Sequence, residues 1–335
     1  MSHSAVINPR PAMKAKLTKN PSRSQILSRF DDTDFLLSSA GNSLYPPKKT
    51  AKLIQDDYAL LSSMWWPRAA ANRLQTCTFW FLWLFTWDDE VDQSTSDLFI
   101  HINKANDFRK ESLEYVGFSP NRPLIRSLDV IGVHLQQVYN HYQIMTFVNE
   151  IDYYMSCQQR EQKRKLTGRL PIVAEYQETR MGTSAVTLIF ADGNDIPRDI
   201  MTDPKMISLW YEVNMNMSLS NDLLSLHKEI KHSDIDSMVP VLVSARGLTV
   251  RQAVKETEAE INRNMEGFDQ IANALLEEIK LAHPEKVDEV PSYIVECHYN
   301  QMANVLWSLT TTRYGQGDVV WDAEGRIPIV IESVN

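Results

Sequence analysis

Asp88-Asp89-Glu90-Val91-Asp92 packs four carboxylates into five residues, directly after the run Phe79-Trp80-Phe81-Leu82-Trp83-Leu84-Phe85-Thr86-Trp87. On a helix, Asp88 and Asp92 stand at i and i+4. Both carboxylates then project from one face and can share a hard cation or a pair of them. Leu84, Phe85 and Phe81 lie one and two turns below Asp88 on that face. An acidic lip above an aromatic wall suits a ligand with a diphosphate head and an apolar tail. A solvated acidic helix end is the ordinary alternative for such a cluster. The apolar run weakens that alternative, because it buries the helix right up to the charges.

A second constellation lies in Asn221-Asp222-Leu223-Leu224-Ser225-Leu226-His227-Lys228-Glu229. Asn221, Ser225 and Glu229 recur at i, i+4 and i+8, each offset by only about 40° around a helix. An amide oxygen, a hydroxyl and a carboxylate on one stripe form an all-oxygen ligand set of the kind magnesium prefers. Asn and Ser are mediocre helix-interior residues, so their presence at this spacing asks for a reason beyond propensity. Lys228 adds a cation that could meet a phosphate oxygen.

Helices must position both sets. Beyond a basic start, the chain shows helical periodicity with short connections, scarce glycine and almost no strand signal. Pro67 opens a long run through Trp87, and Pro120 and Pro123 punctuate the next connection. Pro171 suits the first turn of a helix reaching Phe190, before the loop Asp192-Gly193-Asn194. Asp203-Pro204 starts a helix expected to run to about Lys231, and Thr249 with Gln252 makes a capping box for the segment to Leu281. Ser292 is expected to cap the last helix, through Trp307 to about Arg313. No internal repeat or linker divides the chain, so one all-α domain over 45–315 is expected. It is preceded by a basic flexible tail, 1–44, and followed by a C-terminal tail, 316–335, that includes the β-branched Ile327 to Ile331.

Composition narrows the function classes. A net charge of −9 argues against a general nucleic-acid binder, although metal ions can invert the charge at a local site. Cys77, Cys157 and Cys297 are few and far apart, which excludes a disulfide framework or a structural zinc site and fits a cytoplasmic location. The first thirty residues carry six Lys or Arg and no acid, yet lack an amphipathic face, so a mobile tail is expected over a targeting peptide. Phe79 to Trp87 is about half the length of a membrane span, and none is expected. The histidines form no HExxH motif or facial triad. Glu258, Glu260, Glu277 and Glu278 sit on polar stripes and are expected to be solvated. Asp56-Asp57 is no part of a DxDD pattern.

Together the two constellations resemble those of the class I terpene cyclases, whose acidic motif is DDxx(D/E) and whose second motif is NDxxSxx(K/R)(E/D). Arg180, 41 residues before Asn221, stands about where that family keeps a diphosphate-sensing arginine. Trp307 followed by Arg313-Tyr314 is similar to its C-terminal Trp-x5-Arg-Tyr pattern. The four matches, in order, cover roughly residues 60 to 315. The resemblance implies a single-domain class I terpenoid synthase helical bundle around a central apolar cavity, and a lyase that ionises and cyclises a prenyl diphosphate. It implies magnesium, three ions in all: Asp88 with Asp92 on two, and Asn221, Ser225 and Glu229 on the third. Asp89 would hydrogen-bond elsewhere. Arg180, Lys228, Arg313 and Tyr314 would donate to the diphosphate. A helix bend after Arg180 would carry a linker at Thr183 and an effector carbonyl at Ser184.

The departing diphosphate leaves an allylic cation that must be held without a nearby nucleophile. Aromatic faces do this, and Phe81, Phe85 and Trp307 are the candidates. Trp65, Trp66, Trp80, Trp87, Phe190 and Tyr211 are unplaced. Farnesyl diphosphate is the expected substrate, because the stand-alone format resembles microbial, fungal-type sesquiterpene cyclases. Geranylgeranyl diphosphate is the runner-up, and a non-catalytic prenyl-lipid binding protein is the alternative from another class. A chain-elongating prenyltransferase would need a second DDxxD. A homodimer is a candidate assembly. The loops after Asp92 and Lys231 and the basic tail are expected to order when magnesium and diphosphate bind.

Overall fold

The computed structural model describes residues 3–7, 47–92, 96–114, 128–185, 196–232, 234–314 and 327–331. A strand, β1 (His3–Ile7), precedes the helices α1 (Pro47–Asp56), α2 (Tyr58–Trp65) and α3 (Ala71–Asp92). The short α4 (Asp97–Ile100) leads to α5 (Ile102–Glu114), α6 (Leu128–Val138) and α7 (His141–Leu166). Next come α8 (Val173–Thr183), a single turn α9 (Arg198–Met201) and α10 (Pro204–Lys231). The helices α11 (Met238–Arg246), α12 (Val250–Ala282) and α13 (Glu289–Thr310) follow, then a 3-10 turn, Thr312–Tyr314, and the strand β2 (Ile327–Ile331).

The two helices that carry the oxygen motifs, α3 and α10, are both packed into the body of the bundle. α10 packs against α8, α11, α12 and α13. That enclosure explains why Met215, Leu219, Leu223, Leu224 and Leu226 are all buried although they point in different directions around the helix. α3 packs against α2 and α6 and buries Trp80, Trp83 and Trp87. Trp80 stacks on Trp83 at 5.0 Å and meets Phe147 of α7 edge-on at 5.2 Å. Trp87 lies flat on Phe108 of α5 at 4.1 Å, and its indole N–H donates to Gln158. Burying each such side chain stabilises the fold by about 1.5–3 kcal/mol. These three tryptophans are therefore core. Tyr211 is exposed on the outside of α10.

Helix starts follow local chemistry. Asp203 accepts from the Lys205 N–H at 2.7 Å with Pro204 in the first turn, and Thr249 with Gln252 closes the capping box on α12. An unexpected second box, Asn140 with Gln143, starts α7. Three expectations are corrected. The long run begins at Ala71 after a turn containing Pro67. The last helix begins at Glu289, so Ser292 lies inside it and its carbonyl accepts from Arg68. The helix expected to reach Phe190 stops at Thr183. Pro120, Pro123, Phe190 and Asp192 to Asn194 lie outside the described residues.

Within the two segments expected to be tails, only residues 3–7 and 327–331 are described. β1 and β2 pair antiparallel, His3 opposite Ile331 and Ile7 opposite Ile327, with β1 beside α12 and β2 beside α10. The β-branched run at 327–331 thus finds its partner 320 residues upstream, a pairing that no local pattern encodes. Among the described residues, no helix is long and apolar enough to cross a membrane.

Candidate active site

A pocket opens where α2, α3, α8, α10 and α13 meet. Its apolar wall comes from Leu61, Trp65, Phe81, Leu84, Phe85 and Met217. Asp88 of α3, Arg180 of α8 and Asn221 of α10 line the same pocket, which brings one residue of each oxygen motif and Arg180 to one rim; Asp92, Ser225 and Glu229 are not among its lining residues. Phe81 lies about 10 Å below Asp88 along the α3 axis, from the helix rise. Trp307 is the expected wall residue that is not there. It lies behind Phe85, with ring centroids 5.3 Å apart, and its indole N–H donates to the carbonyls of Asp56 and Asp57 at 2.9 and 3.1 Å. Trp65, unplaced by sequence, takes a position on the wall and meets Phe81 edge-on at 5.0 Å.

The four carboxylates of the acidic motif have four different environments. Asp88 keeps 38% of its side chain exposed, with Arg313 3.7 Å away. Asp89 accepts from both Arg313 terminal nitrogens at 2.9 Å and from Lys228 at 3.0 Å. Glu90 takes Lys49 at 2.9 Å. Asp92 takes Lys165 of α7 at 3.0 Å, and the same ammonium reaches Glu161 at 2.8 Å and Asp234 at 2.9 Å. Lys228, expected to donate toward a diphosphate, is thus paired with Asp89. Lys165 was not foreseen, because two of its three partners, Asp92 and Asp234, lie 73 and 69 residues away.

On α10 the Ser225 hydroxyl lies 2.5 Å from Glu229 Oε1 and 2.6 Å from the Asn221 carbonyl oxygen. Asn221 accepts from Arg180 at 2.9 Å and donates to the Tyr314 hydroxyl at 2.9 Å. Asp222, given no role by sequence, accepts from Arg180 at 3.0 Å, from the Met238 N–H at 2.9 Å and from the Tyr176 hydroxyl. It ties Arg180 to the start of α11. Arg313 lies over the Phe85 ring at 4.7 Å and is almost fully buried. The turn that bears it is fastened to Asp56, whose carboxylate accepts from Thr312 at 3.0 Å and whose carbonyl accepts from Thr311 at 3.0 Å.

The donor set fits a divalent cation bound with an anion. Glu229 Oε2 is buried and makes no hydrogen bond, and the same holds for Nε of Arg180 and of Arg313. An orphan carboxylate oxygen awaits a cation, and orphan guanidinium N–H groups await an acceptor. Among the described residues, no three carboxylate, imidazole or thiol groups gather to hold a metal unaided. A cation here would draw on the amide and hydroxyl oxygens of α10 and on oxygens of its own ligand.

Burial raises the Glu229 carboxyl to about 8, with Asp234 and Asp222 adding to the shift. Burial likewise lifts Asp92 well above the carboxylate range despite Lys165, and Asp236 to about 6. Asp89 goes the other way: burial opposes ionisation, but Arg313 and Lys228 hold it below its usual value. Between about pH 4.5 and 8 the native metal-free protein therefore binds more protons at Glu229 than the unfolded chain, so stability must fall as pH rises through that window. In EDTA, the melting temperature is expected to drop from pH 5 to pH 8, and Glu229→Gln to flatten the slope. An unchanged slope in that variant would contradict the protonated Glu229.

α8 breaks after Thr183. Ala185 adopts φ 52°, a left-handed conformation that costs a residue with a Cβ about 1–2 kcal/mol. Thr183 and Ser184, the expected linker and effector, line the pocket together with Ala185. Gly182 sets the approach of α8 to α7, because a Cβ there would stand 2.3 Å from Cys157 Sγ and 2.7 Å from Cys157 Cβ. Gly182→Ala is expected to destabilise the fold by about 1–3 kcal/mol, the usual cost of overpacking. Cys157→Gly should recover most of the loss in denaturant melts, and no recovery would place the strain elsewhere. Residues 93–95 and 233, in the loops after Asp92 and Lys231, lie outside the described residues, as does nearly all of the basic tail.

Comparison with known proteins gives a consistent picture. A family profile described as terpene synthase family 2, C-terminal metal binding, matches residues 80–267. The sesquiterpene cyclase hepA of Aspergillus oryzae is 76% identical over a 369-residue alignment covering 100% of both chains. A (1R,4R,5S)-(-)-guaia-6,10(14)-diene synthase of Fusarium mangiferae is 24% identical, over 84% of this chain and 74% of its own. Among solved structures, 2-methylisoborneol synthase of Streptomyces coelicolor A3(2), in complex with Mg2+ and 2-fluoroneryl diphosphate, superposes with a TM-score of 0.72. It is 17% identical, and the match covers 94% of this chain and 97% of that one.

Proposed function

The chain belongs to the terpene synthase family and is a terpene cyclase, and from that premise we propose that it ionises farnesyl diphosphate with magnesium and closes the allylic cation to a cyclic sesquiterpene. One observation carries this reading: Asp88, Arg180 and Asn221 share a pocket with Trp65, Phe81 and Phe85, so a charged rim and an aromatic wall serve one ligand. The 76% identity to a sesquiterpene cyclase supports the C15 substrate. The catalytic unit would be residues 45–315.

Asp88 and Asp92 on α3, and Asn221, Ser225 and Glu229 on α10, are the residues that would hold the cations, three in all. Magnesium, when bound, supplies positive charge that stabilises the departing diphosphate. Arg180, Arg313, Lys228 and Tyr314 then act on the same group as hydrogen-bond donors. Asp89 keeps Arg313 and Lys228 at the rim, and Asp222 keeps Arg180 there. Ser184 would present its main-chain carbonyl to the reacting end of the substrate. On the wall, Phe81, Phe85 and Trp65 face the hydrocarbon and favour a cation by about 0.5–2 kcal/mol each without reacting with it. Trp307 supports the wall from behind.

Incubation with C10, C15 and C20 prenyl diphosphates plus magnesium, followed by gas chromatography–mass spectrometry, tests this function. A cyclic C15 product is expected. Turnover of the C20 diphosphate alone would reassign the substrate, and tight binding without diphosphate release would make the chain a prenyl-lipid binder.

A further inference from the structure

Asn214 is buried on α10, two turns before Asn221, and is joined to the broken end of α8 rather than to the metal motif. Its Nδ2 donates to the Met181 carbonyl at 2.8 Å, while its Oδ1 accepts from the Ser184 hydroxyl at 2.7 Å and from Ser218 at 3.2 Å. The orientation of the amide is fixed by its partners: the Met181 carbonyl can only accept, whereas both hydroxyls can turn to donate. Met181 lies in the last turn of α8, where carbonyls lose their helical partners, so an amide from α10 serves as a cap delivered from another helix. Four residues after Met181, Ala185 holds its left-handed φ of 52°.

The contacts between α8 and α10 form a ladder. Tyr176 meets Asp222, Arg180 meets Asn221 and Asp222, and Met181 with Ser184 meets Asn214. The first two rungs hold the end that faces the diphosphate. The third holds the end that faces the hydrocarbon, since Ser184 and Ala185 line the pocket. A substrate diphosphate that engages Arg180 therefore bears on a segment whose far end is pinned by a single amide.

We propose that Asn214 is a positioning residue: it holds the α8 break so that the Ser184–Ala185 main chain is presented to the reacting chain while Arg180 engages the diphosphate. The proposal rests on the cyclase function stated above. It predicts a separation of chemistry from diphosphate binding that a merely structural residue would not produce. Asn214→Leu keeps the size and removes all three bonds, and kcat should fall about 100-fold. KM and the inhibition constant for inorganic diphosphate with magnesium should stay within threefold, because Arg180, Asn221 and Asp222 are untouched. Asn214→Asp keeps the acceptor and loses the donation to Met181. An intermediate loss of about tenfold is expected, with a larger share of acyclic and prematurely quenched products.

If the leucine variant fails to fold, the aspartate variant alone decides. Wild-type kcat and product pattern in a folded variant would overturn the proposal. So would a loss of diphosphate affinity in step with kcat, which would mean that Asn214 acts through Arg180. A wild-type protein that turns over no prenyl diphosphate would instead refute the cyclase function, so the two failures are distinguishable.

Discussion

Asp88→Ala and Glu229→Ala should each lower kcat/KM on farnesyl diphosphate at least a thousandfold, about 4 kcal/mol of transition-state stabilisation, while the fold survives. The loss is expected to be that large because, in the proposed arrangement, Asp88 and Glu229 would each hold one part of a ligand set divided between α3 and α10. Survival of the fold follows from the surroundings. Arg313 lies 3.7 Å from Asp88, and it keeps its two bonds to Asp89 when the Asp88 carboxylate is removed. Glu229 is raised to about 8 and is buried with one oxygen unpaired, so its removal relieves a desolvated acid. Circular dichroism and thermal melts should match the wild type within a few degrees. Wild-type-like turnover in either variant would remove the metal assignment.

Arg313→Met is expected to cost about a hundred- to a thousandfold in kcat/KM, and to lower stability as well. The guanidinium makes a two-pronged bond to Asp89, lies over Phe85 at 4.7 Å and is nearly inaccessible. Its loss would remove a proposed donor to the diphosphate and leave the half-buried Asp89 with Lys228 alone of its two cationic partners. An apolar side chain of similar length fills the space but cannot perform either task. Asp89→Asn should behave differently, with a smaller loss of turnover, because the arginine stays in place. Steady-state kinetics on the two variants, with Tm measured alongside, check this. An Arg313→Met variant as active as wild type would show that the ion pair is structural only.

Much of this was legible in the sequence because the chemistry is written in helical spacing. Asp88 with Asp92, and Asn221 with Ser225 and Glu229, needed only the 3.6-residue repeat to be placed on single faces. Sequence failed where the answer depends on which helices meet. Trp307 looked like a wall residue, yet its indole N–H needs an acceptor when buried, and the carbonyls of Asp56 and Asp57 provide one. Asp56 itself looked idle, and it fastens the turn bearing Arg313 from 256 residues upstream of Thr312. The resemblance led us to expect a bend after Arg180, but the residue that takes the left-handed conformation was not legible, because it is Ala185 and not the neighbouring Gly182. Asn214 had a visible signal. The polar stripe of α10 extends upstream from the half-buried Asn221 through the buried Ser218 to the buried Asn214, and an uncharged amide at such a position asks for a partner.

The account stands on α3 and α10 holding one metal–diphosphate assembly between them. Diffraction data collected at the manganese edge, from crystals soaked in Mn2+ and inorganic diphosphate, test this directly. Anomalous peaks within coordination distance of Asp88 and of Asn221, Ser225 and Glu229 are expected, with Arg180 and Arg313 on the diphosphate oxygens. Manganese bound elsewhere, or at one helix with the diphosphate contacting neither arginine, would contradict it.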